Sequence, residues 1–175
     1  MIVIIMGVAG SGKTTAGVLL AELTGYAFID ADTLHSPANV AKMSAGMPLT
    51  DADRAPWLAA IRARIEEAAG NQQSLVVACS ALKAAYRTVL ARGLPVTWVY
   101  LKGSPDLLRR RLQTRTGHFM TADLLSSQLD ALEEPSDVIV IDASQPPGVI
   151  AQGIADRVKT RERAGSPRPA RRGRG

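Results

Sequence analysis

Residues 2–14 read IVIIMGVAGSGKT, and no other stretch restricts the fold as much. The run Ile2–Met6 is short, apolar, rich in β-branched residues and closed by glycine, which makes it a buried parallel strand. From Lys13 to Thr24, the residues Val18, Leu19, Leu20 and Leu23 take helical spacing. Between strand and helix, Gly7, Val8, Ala9, Gly10, Ser11, Gly12, Lys13 and Thr14 fit G-x-x-x-x-G-K-[ST], the P-loop. Placement matters as much as residue type. Successive backbone N–H groups can curl round phosphate oxygens only where glycine supplies positive φ and leaves space. The helix N-terminus behind them adds partial positive charge. In such a loop Lys13 reaches the β- and γ-phosphates, the Thr14 hydroxyl holds Mg²⁺, and Thr15 completes the nucleotide-binding set. ATP and Mg²⁺ are the expected cofactors.

The rest of the chain alternates apolar strand-like runs with helical patterns. Further strands are expected at Tyr26–Ile29, Leu75–Cys79, Val96–Leu101 and Val138–Ile141. Helices are expected at Trp57–Ala69, with Pro56 in its first turn, and at Leu82–Leu90, Asp106–Arg115, Ala122–Leu132 and Gly148–Val158. Residues 33–50 read as polar and irregular, punctuated by Pro37, Gly46 and Pro48. The expectation is an α/β three-layer fold of the P-loop NTPase type, with a five-stranded parallel sheet. One domain would span residues 1–160, with a substrate-binding segment near 33–65 and a lid near 111–122.

The net charge of +5 suggests a polyanion partner until it is located. Residues 161–175 hold six Arg and one Glu, so everything before them is neutral. A basic tail on a neutral body does not call for nucleic acid, and the tail reads as a disordered extension. Cys79 is the only cysteine, which excludes an internal disulfide and suits a reducing compartment. It reads as a small buried hydrophobe. No apolar run is long enough to span a bilayer, and Met1–Met6 is too short for a signal peptide, so a cytoplasmic location is expected.

A P-loop alone serves kinases, ATPases, GTPases and motors. No guanine-reading N-K-x-D occurs, and the chain is short for a motor, which leaves a small-molecule or nucleotide kinase. Asp30-Ala31-Asp32 closes the second strand, where two carboxylates on extended backbone would share a face. Phosphoryl transfer to a hydroxyl wants one carboxylate for the proton and another near hydrated Mg²⁺. A loop in which Asp32 merely caps a helix would explain one acidic residue but not two. In the basic helix, Arg111 and Arg115 are four apart and stack on one face, suited to neutralising a transferring phosphoryl group. Arg109 and Arg110 point elsewhere and are expected in solvent.

Several longer blocks resemble the gluconokinase family of small P-loop sugar-acid kinases. They are GVAGSGKT, DADTLHSPANVAKMSAGMPLTDADRAPWL, CSALKAAYR, YLKG, and R-T-GHFM followed by LLSSQLDALEEP. The resemblance implies transfer of the ATP γ-phosphoryl group to the 6-hydroxyl of D-gluconate. It makes Asp32 the base and acceptor contact and puts Asp30 near the metal. Arg54, Lys83 and Arg87 fall in matching motifs as partners for an anionic sugar acid, and their chemistry fits a carboxylate. His35 and His118 are candidate contacts that could equally pack or bond locally. Ala31, Thr88 and Thr121 depart from residues frequent in the family. The competing readings are a shikimate- or nucleotide-type kinase of the same architecture, or a nucleotide-gated binding protein without turnover. No membrane partner is implied, and a homodimer is compatible with the resemblance.

Overall fold

Strand β1 (Ile2–Met6) runs through the middle of a five-stranded, wholly parallel sheet of order β2-β3-β1-β4-β5. The computed structural model describes residues 1–114 and 122–165. The other strands are β2 (Ala27–Asp30), β3 (Leu75–Ala78), β4 (Val96–Lys102) and β5 (Ile139–Asp142). Seven helices occur among the described residues: α1 (Lys13–Thr24), α2 (Pro37–Ser44), α3 (Asp51–Gly70), α4 (Ala84–Ala91), α5 (Pro105–Gln113), α6 (Ala122–Asp130) and α7 (Pro147–Gly165).

Alternation along β1 builds two cores, because successive side chains leave opposite faces of a strand. Ile2, Ile4 and Met6 pack with Trp57, Leu58, Ile61 and Ile65 of α3 and with Tyr86 and Leu90 of α4. Val3 and Ile5 face the other way, onto Ala16 and Leu20 of α1 and Ile150, Ile154 and Val158 of α7. Both faces of β1 and β3 are therefore covered, which explains their unbroken apolar sequences. Each fully buried side chain of this kind contributes about 1.5–3 kcal/mol. Gly17 allows α1 to lie close on the sheet, since a Cβ there would come within 2.5 Å of the Phe28 ring. A third, smaller cluster joins Val8 and Ala9 to Leu82, Leu108, Leu112 and Leu125.

The strands fall where the apolar runs place them, to within a residue or two. Three helical boundaries differ. Residues 37–44, read as irregular, form α2, which Ser36 caps by accepting from the Asn39 N–H at 3.2 Å. Its two buried residues are Asn39 and Met43, too few for an apolar period to show. Helix α3 starts at Asp51, well before Pro56, because Thr50 and Asp53 form a reciprocal capping box. Pro56 is thus inside the helix, where it has no N–H to donate to the Ala52 carbonyl. Helix α7 continues to Gly165, into the segment read as an extension, and residues 166–175 lie outside the described set. Among the described residues no helix is long and apolar enough to cross a membrane.

Candidate active site

A cleft of about 350 Å³ opens at the carboxyl ends of β1 and β2, with the loop between β1 and α1 as its floor. Gly7, Gly10 and Gly12 have φ of 145°, 78° and 91°, the conformations that the glycine pattern requires. At Gly10 a Cβ would also meet the Leu108 carbonyl oxygen at 3.0 Å, so α5 supports the loop closely from behind. Gly12 caps α1, and residues Ala9 to Ala16 line the cleft. The Lys13 ammonium donates to the Val8 carbonyl at 3.1 Å across the mouth of the loop. Ser11 is wholly buried beneath, and its Oγ has no hydrogen-bond partner among the described residues.

The acidic pair is arranged differently from an extended chain. Strand β2 ends at Asp30, and Ala31–Leu34 turn as a 3₁₀ helix that Asp30, not Asp32, caps. One Asp30 oxygen accepts from the Asp32 N–H at 3.0 Å, and the other accepts from the Thr14 hydroxyl at 2.7 Å. Asp32 instead lines the cleft. The turn thus separates the carboxylates that strand spacing would have put side by side. Asp30 faces the loop threonine, and Asp32 faces the open space.

Opposite, His35 stacks on Trp57 with ring centroids 4.5 Å apart and planes 7° from parallel. The indole N–H is anchored on the Ala31 carbonyl at 2.7 Å, which fixes this wall to the 3₁₀ turn. Burial lowers the His35 pKa; Asp32 opposes the shift and Arg54 adds to it, so the imidazole is neutral near pH 7. Arg54 lines the same cleft, donating to the Leu49 carbonyl at 2.6 Å and lying 6.0 Å from the Tyr86 ring centroid. Arg111 borders the phosphate side, its Nη1 3.9 Å from where a Gly12 Cβ would stand.

Two of the expected anion-binding cations are engaged elsewhere. Lys83 Nζ pairs with both Asp51 oxygens, at 2.8 and 2.9 Å, and lies 5.6 Å from the Tyr86 ring centroid. Arg87 Nη1 donates to the Ala81 and Leu82 carbonyls at 3.0 and 2.9 Å. Ala81 has φ of 42°, unusual for a residue with a side chain, so Arg87 braces a strained turn. Neither residue lines the cleft. Arg115 and His118 lie outside the described residues.

Gln128 of α6 lines the cleft and accepts from the Ala9 N–H at 2.7 Å. It was not singled out from sequence, because only the fold brings an amide on a distant helix to the loop. Cys79 is fully buried, and burial pushes its thiol up to about 12, which makes it the inert hydrophobe expected.

The shikimate kinase family model matches residues 9–159. A gluconokinase of Gluconobacter oxydans is 48% identical over 156 residues, covering 86% of this chain and 87% of its own. The chain belongs to the gluconokinase family. The thermoresistant gluconokinase of Escherichia coli is 43% identical, with 87% and 91% of the two chains covered. A crystal structure of a gluconokinase from Sinorhizobium meliloti superposes with a TM-score of 0.81 at 41% identity, covering 94% of this chain and 97% of that one. Family membership makes the chain a kinase, and the reading as a binding protein without turnover falls away.

Proposed function

We propose that this chain transfers the γ-phosphoryl group of ATP to the 6-hydroxyl of D-gluconate, giving 6-phospho-D-gluconate and ADP. The observation that carries this reading is that Asp32, Arg54 and the His35–Trp57 wall share one cleft with the phosphate-binding loop. A hydroxyl acceptor bound against that wall lies between a carboxylate base and the γ-phosphate. Arg54 offers a forked cation for the sugar-acid carboxylate. The stacked His35 and Trp57 give a flat surface for the carbon chain.

Asp32 would take the proton as the 6-hydroxyl oxygen bonds to the γ-phosphorus. The bond from that phosphorus to the bridging oxygen breaks, and its electrons leave with ADP. Lys13 would release the Val8 carbonyl and turn to the β- and γ-phosphates, with Arg111 adding charge beside Gly12. The contacting oxygens of Thr14 and Asp30 are hard donors of the kind that suit Mg²⁺. When bound there, Mg²⁺ supplies neutralisation of the phosphate charge.

A coupled ADP-release assay against gluconate, other sugar acids, shikimate and nucleoside monophosphates tests the assignment. Gluconate should give the highest kcat/KM. Preference for shikimate or a nucleotide would overturn the acceptor and leave the kinase.

A further inference from the structure

Helix α6 and the residues just after it touch the phosphate loop, the start of α4 and the end of β4. Leu125 buries against Val8, Ala9, Leu82, Leu108 and Leu112. One turn on, Gln128 Oε1 accepts from the Ala9 N–H at 2.7 Å. Beyond the helix, the Glu133 N–H donates to the Leu82 carbonyl at 3.0 Å, and its carboxylate accepts from the Ala84 N–H at 2.6 Å. Ala84 opens α4, whose cap residue Lys83 makes no side-chain capping bond. Glu133 therefore brings that helix N-terminus both an acceptor and a favourable charge from 49 residues away. Glu134 pairs with Lys102 at the end of β4 at 2.7 Å.

A glycine-rich loop has little conformational preference of its own, so its shape must be held from outside. Ala9 precedes Gly10 in the loop, and its donor is held by an amide on another element. Residues 128–133 thus anchor the phosphate loop at one end and the CSALK turn at the other. Without the Gln128 acceptor, the Ala9 N–H would seek water and the loop would relax. ATP would then have to restore the binding shape at the expense of affinity.

We propose that Gln128 is a positioning residue for the ATP phosphates, and that residues 128–133 form a strap through which Glu133, on the acceptor side, bears on ATP affinity. This rests on reading residues 7–14 as the ATP cradle and not on which acceptor is used.

The test titrates the full chain with a non-hydrolysable ATP analogue and Mg²⁺, without any sugar acid, alongside melting temperatures. Gln128→Leu should weaken analogue binding about tenfold, within the roughly 5- to 150-fold that an unpaired buried donor can cost. Glu133→Gln should weaken it about two- to fivefold although it touches neither the loop nor the nucleotide. The double variant should lose less than the product of the single effects, since both act through one segment. An unchanged affinity in Gln128→Leu, within about twofold whatever happens to melting, would overturn the positioning role. A silent Glu133→Gln, or strictly multiplicative effects, would overturn the strap. If Gln128→Leu does not fold, Gln128→Asn serves, because the shorter amide cannot reach the Ala9 N–H. A wild-type chain that binds the analogue but leaves gluconate untouched would sink the proposed acceptor and not this inference.

Discussion

Lys83 and Asp51 form an ion pair at 2.8 Å between the N-terminal ends of α4 and α3, and the Tyr86 hydroxyl donates to the same carboxylate. These bonds lower the Asp51 pKa and raise that of Lys83. Asp51 thus holds a cation that the family resemblance offers to the substrate carboxylate. Of the three cations expected to bind a sugar acid, Arg54 alone lines the cleft.

The first prediction ranks those cations. Arg54→Ala should raise the gluconate KM by about 10- to 150-fold, the worth of a charge-assisted hydrogen bond, with the ATP KM nearly unchanged. Lys83→Met should raise it much less, because the ammonium is committed to Asp51. Steady-state kinetics with each substrate varied in turn decides the matter. Equal effects of Arg54→Ala on both KM values would mean that it only braces the Leu49 turn.

Lys13→Ala should cut kcat by about 10²–10³ or more, since the phosphates lose a charged donor in a confined site. Its ammonium reaches the loop's own Val8 carbonyl in the bond at 3.1 Å and lies at the surface of an open cleft, so the melting temperature should move far less than kcat. Turnover close to wild type would refute the role given to the loop lysine.

The two aspartates should separate by kinetics. Asp32→Asn keeps shape and removes the proton acceptor, so kcat should fall about 10²–10⁴-fold with ATP-analogue binding intact. Asp30→Asn should instead raise the Mg²⁺ concentration needed for half-maximal rate, because Asp30 faces Thr14. The reverse pattern would exchange their roles.

Acid stability gives an independent check on the entry to α3. Bonds from Lys42 and Thr50 lower the Asp53 pKa from its ordinary 3.8 to about 2. A carboxyl depressed on folding contributes stability that is present above the unfolded pKa and is lost as pH falls through the folded one. Wild type should therefore exceed Asp53→Asn in melting temperature above about pH 4, and the gap should close between about pH 4 and 2. A gap that stays constant across that window would show that shape, not charge, does the holding.

Sequence reasoning reached the sheet and the phosphate loop because both are local in origin. Ile2–Met6 and the glycines that follow carry their conformations in their own composition. It failed where a cap outweighed a punctuator, as at Thr50 and Asp53 against Pro56. It also misjudged Asp30 and Asp32, since a single 3₁₀ turn overrides the two-residue period of a strand. Gln128 and the Asp51–Lys83 pair were out of reach for a different reason. Their partners lie 119 and 32 residues away, and no local pattern encodes a meeting at that separation.

The alternation along β1 has an evolutionary consequence. The acceptor wall rests on the core beneath α3 and α4, while α1 and α7 beside the nucleotide rest on the core across the sheet. Substitutions that repack one core are therefore separated from the other by the sheet itself, and residues 128–133 are the link that bypasses it. Repacking beneath α3 can thus reshape the acceptor wall without disturbing the packing of α1 and α7, so long as it spares that link.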